Sequence, residues 1–137
     1  MVLPLRRYTQ FAGRSSRREF WWYSLFLGLG YVGIALAWGV FLAVVQPPDP
    51  EELVGWYLGA GAAFFLANLV PGIALSVRRL HDIGQSGWWL LAAYAAMLFL
   101  SLIGWVPYLV VMSLPPQKHP NRWGLPVGPR PLASVFD

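Results

Sequence analysis

Three long stretches of this chain carry no charged residue: 21–45, 53–77 and 88–114, with lengths of 25, 25 and 27 residues. A helix needs about 20 residues to cross roughly 30 Å of hydrocarbon, so each stretch is long enough to span. Backbone facing lipid must satisfy its own hydrogen bonds, and no alternating barrel pattern is present. The expected fold is therefore all-α, a small polytopic helical membrane protein. Buried core helices of a soluble domain are the competing reading of any one stretch. Three of them, with almost no polar chain between, leave nothing to build a soluble shell. Only 12% of the residues are charged and 57% are hydrophobic, against about 25% charged in a soluble domain. That excludes an ordinary soluble globule and also a disordered chain, which needs low hydrophobicity and high charge.

The ten basic and six acidic residues are clumped between the stretches. Arg6, Arg7, Arg14, Arg17 and Arg18 precede the first, with Glu19 beside them. Segment 46–52 is acidic. Segment 78–87 holds Arg78, Arg79 and Asp82, and the tail holds Lys118, Arg122 and Arg130. By the excess of Lys and Arg in cytoplasmic loops, the N-terminus and 78–87 are expected in the cytoplasm, with 46–52 outside. Trp21, Trp22, Trp88 and Trp89 follow the two basic segments and suit an interfacial aromatic belt. The first span begins after a basic segment and exceeds the apolar length of a cleavable signal, so it is expected to remain as an anchor. Cysteine is absent, which removes disulfides and thiolate chemistry.

The third stretch has two readings. As one span it puts the tail outside, against the charge bias. Broken near Gly104–Pro107, it returns the tail to the cytoplasm. Residues 107–114 reach only about 12 Å as helix and Pro is tolerated in membrane helices as a kink, so three full spans are the favoured arrangement. The domain organisation expected is one multi-pass unit over 1–126 and a Pro-rich tail over 127–137.

Small residues mark helix contacts. Gly55 and Gly59, spaced by three, are a helix-packing face, read as packing within one chain ahead of a dimer interface. Asn68 is read as an interhelical hydrogen-bonding group ahead of a substrate contact. None of the three stretches contains an ionisable acid, base or histidine, which counts against ion-coupled transport.

Three polar motifs remain: Phe11-Ala-Gly-Arg-Ser-Ser-Arg-Arg-Glu-Phe-Trp-Trp22, Val77-Arg-Arg-Leu-His-Asp-Ile-Gly-Gln-Ser-Gly-Trp-Trp89, and Pro120-Asn-Arg-Trp-Gly124. Their arginines suit lipid phosphates, at about 1 kcal/mol per basic residue near an anionic surface. Arg18 and Glu19 are also candidates for pairing with the 78–87 loop. A purely structural anchor explains the same loop without a ligand. Together the three motifs resemble the bacterial inner-membrane family catalogued as domain of unknown function 805, over roughly residues 8–126. The resemblance implies a small multi-pass inner-membrane protein and no particular chemistry. The tail departs from the family pattern: Trp123 replaces Tyr or Phe, and no acidic residue follows Gly124.

The sequence thus favours a non-enzymatic membrane module. Its candidate lipid- or partner-binding residues are Arg14, Arg17, Arg18, Glu19, Arg78, Arg79, His81, Asp82, Asn121 and Arg122. Expected partners are anionic membrane lipids, a second copy of the chain or another membrane protein, with no nucleic acid. An oligomeric transporter or channel component is the alternative. An enzyme using His81 and Asp82 is remote, since no nucleophile motif, phosphate loop or metal-ligand spacing is present. No catalytic residue, cofactor or metal is expected.

Overall fold

The computed structural model describes residue 5 and residues 8–46 and 50–127. Arg6, Arg7, Asp49, Arg130 and the tail beyond 127 lie outside the described residues. Four helices carry the fold among those described: α1 (Arg17–Val45), α2 (Pro50–Asp82), α3 (Trp89–Leu100) and α4 (Leu102–Ser113).

Helix α1 starts where Ser16 caps it, its hydroxyl accepting the Glu19 amide at 3.1 Å. Its 29 residues extend about 43 Å at about 1.5 Å per residue. It ends at Gln46, which takes a left-handed conformation. Helix α2 runs back antiparallel, and three contacts fix the register. Tyr23 meets Asn68, Tyr31 stacks edge-on against Phe64, and Trp38 lies over Tyr57. Both helices are long and apolar enough to cross a membrane.

Pro71 lies inside α2 and has no amide hydrogen for the carbonyl of Ala67. That carbonyl instead accepts the Tyr8 hydroxyl at 2.8 Å. Tyr23 likewise donates to Asn68, whose own Nδ2 donates to the Phe64 carbonyl at 2.8 Å. Asn68 therefore sits in the α1–α2 contact as a hydrogen-bonding group. Gly55 and Gly59 do not form a helix contact in this chain. A methyl group added at either would meet open space. The α1–α2 approach uses Gly30 instead, closed by the Phe64 ring.

The third apolar stretch is not one span, which corrects the favoured three-span expectation. It is two 12-residue helices, each about 18 Å long, too short to cross roughly 30 Å of hydrocarbon. The break falls at Ser101, with φ 51°, and not at Gly104–Pro107; Pro107 lies within α4. Close approach of the two helices requires Gly104, because a side chain there would overlap the backbone of Ala96 and Met97. The hairpin tip is apolar and open, with Phe99 82% and Leu102 83% exposed.

Folding back brings the end of α4 to the end of α2. The Gln117 amide donates to the Asp82 carbonyl at 2.9 Å. The described tail therefore lies at the same end as the start of α1 and segment 78–87. The apolar core gathers at that end too, built from Phe20, Tyr23, Leu75, Leu80, Leu90 and Met112.

Candidate functional site

Asp82 ends α2 with a fully buried carboxylate. Arg14 Nε donates to its Oδ1 at 2.8 Å, and Arg79 Nη1 donates to its Oδ2 at 2.7 Å. The side chains of Arg14, Arg79 and Asp82 are 1%, 0% and 0% exposed. Removing such charges from water is costly unless pairing and further hydrogen bonds satisfy them. Here the further partners are backbone carbonyls. Arg79 Nε donates to Met112 O at 3.0 Å, and its Nη2 donates to Leu114 O. Arg14 Nη2 donates to Gln117 O at 2.6 Å and to Asp82 O at 3.1 Å, and its Nη1 reaches His119 O at 3.1 Å. Guanidinium has five donors in a rigid fork, which is why arginine suits this task. Apart from that of Asp82, the carbonyls taken lie in the last turn of α4 and just after it, where helical partners run out.

A second pair lies beside the first. Arg78 is buried and stands 3.6 Å from Glu19 Oε1. Glu19 Oε2 accepts the Ser15 hydroxyl at 2.6 Å, and the Ser15 amide donates to the Arg78 carbonyl at 3.2 Å. This ties the entry to α1 onto the exit from α2.

The NRWG tail closes the junction from outside. Asn121 Nδ2 donates to the His81 carbonyl at 2.9 Å, and its Oδ1 accepts the Trp123 amide at 3.0 Å. Trp123 stacks on the His81 ring at 4.5 Å, with Arg122 over its other face at 4.0 Å. His81 Nδ1 lies 3.2 Å from the Gly13 carbonyl, which can only accept, so that nitrogen carries the hydrogen. His81 lies past the apolar span 53–77. Gly84, at φ +81°, turns the chain where a side chain would strike Gln117.

The geometry brings together Arg14, Glu19, Arg78, Arg79, His81, Asp82, Asn121 and Arg122. It corrects their reading as one exposed lipid-binding cluster. Arg14, Arg78 and Arg79 are buried, so they do not present charge to a head group. Arg17, Arg18 and Arg122 are exposed, as is Lys118. Trp21, Trp22, Trp88 and Trp89 are exposed around the same end. Sequence reasoning missed Ser15, which is fully buried, and the carbonyls of 112–119. The signal for the latter was the tail's own basic residues, which break the charge bias unless the tail returns. No group of three or more His, Asp or Glu residues able to hold a metal ion occurs among the described residues.

Two membrane-length helices, an apolar hairpin and charge buried at one end define a small helical membrane protein. The chain belongs to the family described as protein of unknown function (DUF805), which matches residues 8–125. It is 33% identical over 120 residues to the inner membrane protein YhaI of Escherichia coli K12, covering 88% of this chain and 87% of the relative. It is 30% identical over 126 residues to the inner membrane protein YhaH of the same strain, covering 88% of each. No solved structure matches the chain.

Proposed function

We propose that this chain is a non-catalytic inner-membrane module that gathers anionic lipid head groups at its cytoplasmic end. The observation carrying this is the partition of its arginines. Both acidic groups described at that end, Glu19 and Asp82, are engaged by Arg14, Arg78 and Arg79. Arg17, Arg18, Lys118 and Arg122 stand at the surface beside the tryptophan pairs. Four exposed cations at an anionic surface contribute on the order of 1 kcal/mol each. In this arrangement α1 and α2 cross the bilayer, and the α3–α4 hairpin dips into it from the cytoplasmic side and returns.

The test uses purified protein in nanodiscs of mixed phosphatidylglycerol and phosphatidylethanolamine, with annular lipid measured by mass spectrometry. The variant R17Q/R18Q/R122Q is expected to lose phosphatidylglycerol enrichment while keeping its fold. Unchanged enrichment would overturn the reading. Replacing Arg78 and Arg79 is unsuitable, because both are buried in the junction. Sidedness is tested by single cysteines in this cysteine-free chain. Q46C should label from outside, and Q85C and L125C from the cytoplasm. Self-association is a second reading, favoured by the open Gly55–Gly59 face, and crosslinking of G55C in native membranes tests it.

A further inference from the structure

A cavity of about 460 Å³ opens between α3, α4 and the end of α2. Its size lies within the roughly 300–1,000 Å³ of pockets that take small ligands. The room exists because α3 presents Ala92, Ala93 and Ala96 to it where larger side chains would close the hairpin. The opposite wall is Tyr108, Val111 and Met112. Tyr108 brings a hydroxyl, but that hydroxyl is engaged with Ser76 Oγ at 2.9 Å. Apart from Gln85 and the Trp89 indole at the junction end, the side chains lining the cavity therefore offer water little to bond.

The cavity also has a direction. Gln85, Trp89 and Leu114 line the end nearest the polar junction, and Ala96 and Pro107 line the deep end. Trp89 to Ala96 is seven residues of helix, about 10 Å along the hairpin. At the shallow end Arg17 reaches the Ser113 carbonyl at 3.5 Å, one residue from Leu114. Arg17 does not line the cavity, but it places a cation beside the junction end of this apolar slot, in a hairpin whose outer face is itself apolar.

We propose that this slot holds the head-group-proximal part of one acyl chain of an anionic phospholipid, whose phosphate meets Arg17. This rests on the head-group reading above and deepens it from a shell of lipid to one seated molecule. Charge complementarity selects the anionic head. The apolar lining selects the tail, since the surrounding solvent is hydrocarbon and the slot differs from it only in being fixed. The three alanines are specificity elements, setting the width available to a single chain.

Native mass spectrometry of detergent-purified protein with added phosphatidylglycerol tests this. One lipid per chain is expected to survive stepwise delipidation. Filling the slot with A93F or A96F should lower that retention by about tenfold or more, since about 1.4 kcal/mol of lost contact is tenfold. A thermal melt of each variant checks that it is folded. A second measurement needs no variant. Phosphatidylglycerol with a diazirine on its acyl chain, added at one per chain, should label residues 89–96 and 107–114. Adducts confined to the outer faces of α1 and α2, or full retention by folded A93F and A96F, would overturn the slot and leave the head-group reading standing. Retention of one lipid with no preference for phosphatidylglycerol, unchanged in R17Q, would keep the slot and overturn the head-group reading.

Discussion

The polar junction and the hairpin tip invert each other. At the junction, Arg14, Arg79 and Asp82 are buried and hydrogen-bonded while tryptophans stand outside. At the tip, the largest apolar side chains are outside, and two helix backbones touch through Gly104. The difference teaches where each solvent begins. In the proposed arrangement the exposed apolar surface at the tip is stable because hydrocarbon surrounds it. Charge at the junction cannot face that medium, so it turns inward to carboxylates and carbonyls.

The contrast is broken most severely by D82N. It leaves Arg14 and Arg79 buried without their carboxylate, and is expected to destabilise by about 3–5 kcal/mol. The check is loss of monodisperse folded protein and of the thermal transition in detergent. The triple change R14M/R79M/D82L removes all three charges together, and should recover part of that loss. Next comes G104L. Its side chain meets the backbone of Ala96 and Met97, which cannot rotate away, so the hairpin must open. A cost of about 2–3 kcal/mol is expected, read as a lower melting temperature with α1 and α2 intact by circular dichroism. S101G has the opposite sign. Ser101 holds a positive φ with ψ −127° at the tip, a sparsely populated conformation costing about 1–3 kcal/mol. Glycine relieves it and loses about 0.5–1 kcal/mol in chain entropy. A small rise in melting temperature is expected. The smallest effect is that of R17Q/R18Q, exposed residues whose replacement should move stability by under about 0.5 kcal/mol each. The same melt measures it, and a large loss would place these arginines with the junction.

The helices at 21–45 and 53–77 were legible because long runs free of charge, with almost no polar chain between them, leave no soluble shell to bury them. The polar segments were legible as a group for the same reason. The break at Ser101 was not. Serine carries no signal for a positive φ, whereas Pro107 is a conspicuous residue that α4 accommodates in its middle. The fate of the arginines was hidden too. Arg17 and Arg79 look alike as basic residues beside an apolar span, and only the returning tail decides which is covered. Its donors and acceptors are mainly backbone groups, which no side-chain pattern announces. Gly55 and Gly59 show the converse: a spacing that packs helices elsewhere meets open space here.

The bonds from Arg14 to the tail carry a consequence for biogenesis. Arg14 precedes the first span, yet its guanidinium takes carbonyls 103 and 105 residues later, at Gln117 and His119. A ribosome has delivered both long helices and the hairpin before those carbonyls exist. The ion pairs of Arg14 and Arg79 with Asp82 need only residues up to 82, whereas the carbonyls that complete the Arg14 donors arrive with the tail. A chain cut before Gln117 would keep every apolar span and still lack what seals its polar end.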